Sequence, residues 1–358
     1  MNEEIVFCDL GAQLAGMRPE IERAINEVLD STAFINGPAV RKLEDELSDY
    51  VGSEAIGCAS GTDALLIALM ALEVQPGDEI IVPDFTFIAT AEVVALLGAK
   101  PVFCDVDPLT YNMNPECIEP LISSQTVGII PVSIFGQCAD FDAINAIAEK
   151  HSLWVMEDAA QSFGAEYKGR KSCSLSPVAT SSFFPAKPLG CYGDGGVVFA
   201  SDPQLAKKIR MILNHGQNKR YHHAVIGVNA RLDSLQAAIV SVKLQKFDQE
   251  IQLRQQVAAS YSRFFEADLH IPVVADYNSS VWAQYTLQHP ERDAIRDELQ
   301  QQGIPTAVHY PVPLHTQEAF AGIAGKTECP VTEKISRQVF SLPMHPYLPE
   351  QQIEYIAQ

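Results

Sequence analysis

The sequence has no Cys-x-x-Cys pair: its eight cysteines, at positions 8, 58, 104, 117, 138, 173, 191 and 329, are scattered. Such spacing offers neither a zinc ligand set nor a dithiol redox motif, so no metal is expected. No uninterrupted apolar run reaches membrane-spanning length, and Glu3 and Glu4 precede any apolar stretch. Neither a spanning helix nor a signal peptide is therefore expected. There is no block of like charge, no internal repeat and no low-complexity segment, which argues against disorder. Cations are also in short supply, with 25 lysines and arginines against 45 acids and a formal charge of −20. Nucleic acid and anionic membrane repel such a chain, so neither is expected as a partner. The expectation is a reduced, cytoplasmic protein.

What is present in quantity is core. The chain has 358 residues, 47% of them hydrophobic, enough for one large domain and a smaller one. From about Glu54 to Phe199, strand and helix signals alternate. Strands are expected at Glu79–Pro83, Pro101–Val106, Val127–Ile134 and Leu153–Met156, and helices at Ile88–Leu97 and Phe141–Lys150. This rhythm predicts an α/β fold with a mostly parallel sheet, in which ligands bind beyond the carboxyl ends of the strands. A long helical pattern covers Ser234–Phe265. The division is expected near residue 240, with a large domain over 1–240 and a small C-terminal α+β domain over 241–358. In the latter, Val281–Gln288 and Thr306–Tyr310 read as strands and Ala294–Gln302 as a helix, with prolines at 305, 311 and 313 as punctuation.

The segment Ser181-Ser182-Phe183-Phe184-Pro185-Ala186-Lys187-Pro188-Leu189-Gly190 places one lysine between an apolar run and a glycine-dense loop. Most lysines are solvated, but this setting desolvates the amine, lowering its pKa and making it a nucleophile. The run Val155-Met156-Glu157-Asp158 brings a carboxylate to a strand end. An amine that forms a Schiff base, with a carboxylate to hold a pyridinium nitrogen, makes pyridoxal phosphate the leading cofactor hypothesis. Read alone, Asp158 is equally a helix cap. Gln161 suits the ring hydroxyl or solvent. Gly61-Thr62 at a helix start, with the Ser182 hydroxyl, suits an anion such as phosphate, although the same pattern caps ordinary helices. Phe87 is a stacking candidate or a core residue. The stretch His215–His223 and Arg231 form a local basic patch, and His309-Tyr310 is a weaker candidate.

Together these residues resemble the DegT/DnrJ/EryC1/StrS nucleotide-sugar aminotransferases, of the aspartate-aminotransferase fold (fold type I). The markers are Gly61-Thr62-Asp63-Ala64-Leu65, Pro76-Gly77-Asp78-Glu79, Glu157-Asp158-Ala159-Ala160-Gln161, the Lys187 segment and Gly227-x-Asn229-x-Arg231. The resemblance implies that Lys187 binds the cofactor covalently, with Asp158 at the pyridine nitrogen, Gln161 at the ring oxygen and Phe87 on the ring. It also implies Gly61, Thr62 and Ser182 at the phosphate, and Asn229 reaching it from a second subunit in a homodimer. Phe87 departs from the Trp or Tyr often found there, which removes a polar contact. Lys187 argues against a sister branch of dehydratases that carries histidine at this position. The segments Gly136–Asn145 and Arg220–His223, with the Lys187 loop, look like enzymes that aminate C3 of UDP-2-acetamido-2-deoxy-3-oxo-glucuronate with L-glutamate, for bacterial surface polysaccharide. Arg231, His309 and Tyr310 then contact substrate. The rivals are amination of another keto nucleotide sugar and a non-catalytic cofactor-binding regulator.

Overall fold

The computed structural model describes residues 4–265, 269–323 and 328–358. Short apolar runs build its centre. Glu79–Pro83 and Gly196–Ala200 are buried at every position, as expected of strands covered on both faces. Seven strands form one sheet in the order Glu54–Cys58, Gly196–Ala200, Val178–Ser182, Trp154–Asp158, Thr126–Ile129, Glu79–Pro83, Lys100–Cys104. Gly196–Ala200 runs antiparallel to both its neighbours and the other pairings are parallel.

Strand alternation sorts side chains between two cores. Ile81, Val197 and Phe199 enter a core with Leu43, Phe141, Phe163 and Phe247. Ile80, Val82 and Val198 enter the opposite core with Leu65, Ile67, Val94, Phe103 and Ile209. The helices on these faces start where a side chain takes an otherwise unpaired backbone N–H, as Ser60 does for Asp63 and Asp140 for Ala143. A third core gathers Tyr261, Tyr285, Leu287, Phe340, Leu342 and Ile353 around the antiparallel pair Tyr285–Gln288 and Val339–Leu342. No helix among the described residues is long and apolar enough to cross a membrane.

Several expected elements end elsewhere. The Val127–Ile134 run is a strand only over Thr126–Ile129, because Pro131 offers no N–H and a short 3-10 turn follows at Ile134–Gly136. The Ser234–Phe265 pattern divides into Ser234–Leu244 and Phe247–Phe264. The turn between them aims Phe247 into a core on one side while Tyr261 reaches the third core. Val281–Gln288 shortens to Tyr285–Gln288. Thr306–Tyr310 is not a strand: only Ala307 pairs, exchanging N–H···O bonds with Ser341, and Pro311 and Pro313 prevent the ladder from continuing. The helices Leu10–Ser31 and Pro38–Val51 lie outside the elements expected from the sequence.

Candidate active site

Three segments meet at the carboxyl ends of the parallel strands. Asp84–Phe87 follows the Glu79–Pro83 strand, Asp158 closes Trp154–Asp158, and Ser182 closes Val178–Ser182 and leads to Lys187. The lysine sits on a closed loop. Cys191 N–H donates to the Phe183 carbonyl at 2.7 Å, and Lys187 N–H donates to the Phe184 carbonyl at 2.9 Å. Gly190 folds beneath this loop, where an added Cβ would come within 2.6 Å of the Phe184 and Pro185 carbonyls. The Lys187 side chain is half-buried. Burial pushes its pKa below the ordinary lysine value, and the negative charge of Asp158 opposes that shift.

Glu157 and Asp158 are adjacent and point to opposite faces of the strand. Glu157 faces the Ser172 hydroxyl at 2.7 Å and the Cys173 N–H at 2.9 Å, and burial pushes it up to about 7. Asp158 is 4% exposed, and its carboxylate accepts from the Thr90 hydroxyl at 2.8 Å and the Ala160 N–H at 3.1 Å. Burial raises its pKa, against those two hydrogen bonds and the charge of Lys187. Asp158 and Lys187 feel each other's charge, yet among the described residues their charged atoms stand beyond ion-pair distance.

The rest of the site closes around this pair. The Gln161 amide is fixed at both ends, accepting from Phe135 N–H at 2.9 Å and donating to the Tyr310 hydroxyl at 3.3 Å. Phe87 is not a core residue. It is 53% exposed, and its ring lies 6.1 Å from that of Tyr310. Burial and the neighbouring charge of Lys187 push His309 down to about 4, so its ring is neutral at physiological pH. Gly61 opens the Gly61–Ala71 helix against Ser182, where an added Cβ would come within 2.7 Å of the serine Cβ. The Ser182 Oγ accepts from Phe184 N–H at 3.2 Å, which leaves its hydroxyl proton free for an anion. Thr62 is on the same first helical turn.

Two predicted residues stand apart. Asn229 is exposed, and Arg231 donates from Nη1 to the Asn214 side chain at 2.9 Å; neither bonds to Lys187, Asp158 or His309. The basic segment is a short hairpin, Gln217–Lys219 paired with His222–His223, and its Tyr221 is largely exposed, as is Ile226 just after it.

Sequence reasoning alone misses Thr90 and a brace behind Phe87. Buried Asp84 accepts from Leu314 N–H at 3.1 Å through its carbonyl. Its carboxylate accepts from His315 N–H at 2.8 Å and pairs with His315 Nδ1 at 2.6 Å. This fastens the segment carrying Phe87 to the one carrying Tyr310. Cys329 brings a third ligand-type atom, all within 4.8 Å of one another, and the hydrogen bonds account for the cluster. Asp84 and His315 lie 231 positions apart, so no local pattern reveals them.

Comparison with known proteins is consistent across the chain. The sequence model of the DegT/DnrJ/EryC1/StrS aminotransferase family matches residues 16–358. The chain is 54% identical over 355 residues to a Pseudomonas aeruginosa protein named UDP-2-acetamido-2-deoxy-3-oxo-D-glucuronate aminotransferase, covering 99% of this chain and 98% of that one. It is 46% identical to a Geobacillus stearothermophilus protein named pleiotropic regulatory protein, covering 99% and 97%. The crystal structure of S. venezuelae DesV with a ketimine intermediate superposes with a TM-score of 0.97 at 39% identity, covering 99% and 97%.

Proposed function

From the premise that this chain belongs to the DegT/DnrJ/EryC1/StrS aminotransferase family, we propose that it is a transaminase dependent on pyridoxal phosphate. It moves an amino group from L-glutamate to C3 of a UDP-linked 2-acetamido-3-keto uronic acid, the ketone named for its Pseudomonas aeruginosa relative. The observation that carries the reading is the buried Asp158 carboxylate at the carboxyl end of its strand, held by Thr90 and Ala160 and close enough to the Lys187 amine for each to feel the other's charge.

The residues present fit the cofactor. Lys187 Nζ is a desolvated amine, Asp158 a buried acceptor, Phe87 an open aromatic face, and Gly61 with Ser182 a cradle that a Cβ would fill. Pyridoxal phosphate supplies a carbonyl for Lys187 and an electron sink for charge developing at the donor Cα. Lys187 Nζ would hold the cofactor through that carbonyl and, as a desolvated amine, would serve as the base and then the acid that moves the donor Cα proton. Asp158, its carboxylate fixed by Thr90 and Ala160, would hold the pyridine nitrogen in its protonated form. Gln161 would orient the ring oxygen. Gly61, Thr62 and Ser182 would take the phosphate at the helix start. Neutral His309, with Tyr310, accepts or donates hydrogen bonds to substrate. Asn229 would reach the phosphate in the site of a second copy, so the active unit would be a homodimer, and Arg231 would pair with the uronate carboxylate. The setting is cytoplasmic synthesis of sugars for a bacterial surface polysaccharide.

Phe87→Ala tests the stacking role. Phe87 lies outside the core, so the melting temperature should move by less than about 4 °C. Cofactor affinity, measured by fluorescence titration, should fall roughly tenfold. Unchanged affinity would remove Phe87 from the site.

The substrate is tested by adding the UDP-linked 3-amino uronate product to the yellow, cofactor-loaded protein. Bleaching of the long-wavelength band supports both the chemistry and the sugar. A protein that bleaches with glutamate but not with that sugar keeps the chemistry and moves the reading to another keto nucleotide sugar. A protein that neither binds the cofactor nor bleaches overturns the reading and favours a regulatory role, as in the name of the Geobacillus stearothermophilus relative.

A further inference from the structure

One cation is buried where the proposed reaction makes no use of it. Lys243 is 2% exposed, on the Ser234–Leu244 helix, and its Nζ donates to the carbonyl of Gly190. The same ammonium sits 4.8 Å from the centre of the Tyr192 ring. One helix face carries a second fastening: Gln236 Oε1 accepts from Tyr192 N–H at 2.9 Å, and its Nε2 donates back to the Tyr192 carbonyl at 3.3 Å. Gly193 packs on the same amide, where an added Cβ would come within 2.9 Å of Gln236 Nε2.

Gly190 is the point at which these contacts bear on chemistry. It closes the loop from Phe183 to Cys191 whose outer part presents Lys187, and its own backbone lies under the Phe184 and Pro185 carbonyls. A buried ammonium is a poor choice for stability alone, because burial disfavours the charged form and an apolar side chain would fill the same space. That cost is visible in Lys243, which burial pushes down to about 8 against the negative charge of Glu250. A lysine in the last helical turn commonly faces solvent and the helix dipole; this one instead reaches inward to a single carbonyl.

We propose that Lys243 is a positioning residue for Lys187: with Gln236, it clamps the stem of the loop at Gly190 and Tyr192 and so sets where the Lys187 amine stands. The inference rests on the reading of Lys187 as the cofactor-binding lysine.

The test compares cofactor-loaded wild-type protein with Lys243→Met, Lys243→Gln and Gln236→Leu. Four quantities are read: melting temperature, borohydride trapping of the cofactor at Lys187 by peptide mass, the pH titration of the absorbance band, and kcat with KM. Lys243→Met should melt within about 5 °C of wild type and still be trapped at Lys187. Its kcat should fall about tenfold or more while both KM values stay within about twofold, because placement of the amine affects the chemical step. A loosened loop lets water reach the nitrogen that joins Lys187 to the cofactor, which favours its protonated form, so the absorbance midpoint should rise by about half a pH unit or more. Lys243→Gln, which keeps a donor, should recover part of both effects.

Wild-type kcat and titration in Lys243→Met overturn the proposal. So do losses that track the melting temperature alone. If Lys243→Met does not fold, Gln236→Leu decides: the same paired shift supports the clamp, and wild-type behaviour overturns it. A wild-type protein with no cofactor trapped at Lys187 overturns the functional reading itself, and this inference with it.

Discussion

Lys187→Ala should lower kcat by about 10⁴-fold or more, because in the proposed function one side chain supplies both the covalent attachment and the proton transfer. The variant should remain folded. Lys187 Nζ makes no ion pair among the described residues, and the loop is closed by backbone hydrogen bonds from Cys191 and Lys187 that alanine preserves. The measurement is a single-turnover assay with glutamate and the keto sugar, alongside a melting curve and borohydride trapping. The variant should bind pyridoxal phosphate only reversibly, and trapping should find no modified lysine at 187. An alanine variant retaining even about a tenth of wild-type turnover would place the chemistry elsewhere, since general acid–base catalysis alone contributes about 10²–10⁴-fold. A small amine added to the medium should restore part of the activity if proton transfer is the lost step.

Asp158→Asn is the second large effect. Asparagine keeps the size and one acceptor oxygen, which can still take the Ala160 N–H, while the Thr90 hydroxyl can turn to accept from the new amide NH2, so the main change is the loss of charge. A charge pair a few ångströms apart at an effective dielectric near 20 is worth about 4 kcal/mol. Lost in the transition state, that corresponds to a fall in kcat of about 10³-fold. Glutamate KM should move little, because in the proposed function Asp158 would face the ring nitrogen and not the donor. The absorbance maximum of the loaded protein should also shift, reporting a ring nitrogen that has lost its proton. Wild-type kcat in Asp158→Asn would sink the assigned role, and a loss of cofactor with kcat intact at saturation would reduce it to binding.

Much of this site is legible in the amino-acid sequence. Lys187 stands out because a lysine between two phenylalanines and a glycine-rich turn has few solvated readings. Asp158 stands out because an apolar run ends on it, and strand ends are where open α/β sheets bind ligands. The adjacent Glu157 looks no different in sequence. Only the direction of the pleat separates them, sending one carboxylate to Ser172 and Cys173 and the other to Thr90. Phe87 reads equally as core or as a stacking face, and its exposure removes the core reading.

The sequence by itself determined the repeating strand and helix order from Glu54 to Phe199, the lysine and carboxylate at its centre, and the family, because these depend on local periodicity and residue chemistry. The tertiary structure alone decided that Ser234–Phe265 breaks into two helices, that Thr306–Tyr310 leaves the sheet after one pair, and that His315 meets Asp84. It also decided that Lys243 turns inward to Gly190. Each of these is a contact between residues far apart in the chain. Its energy depends on which surfaces the folded sheet and helices bring together, and no neighbour in sequence carries a trace of it.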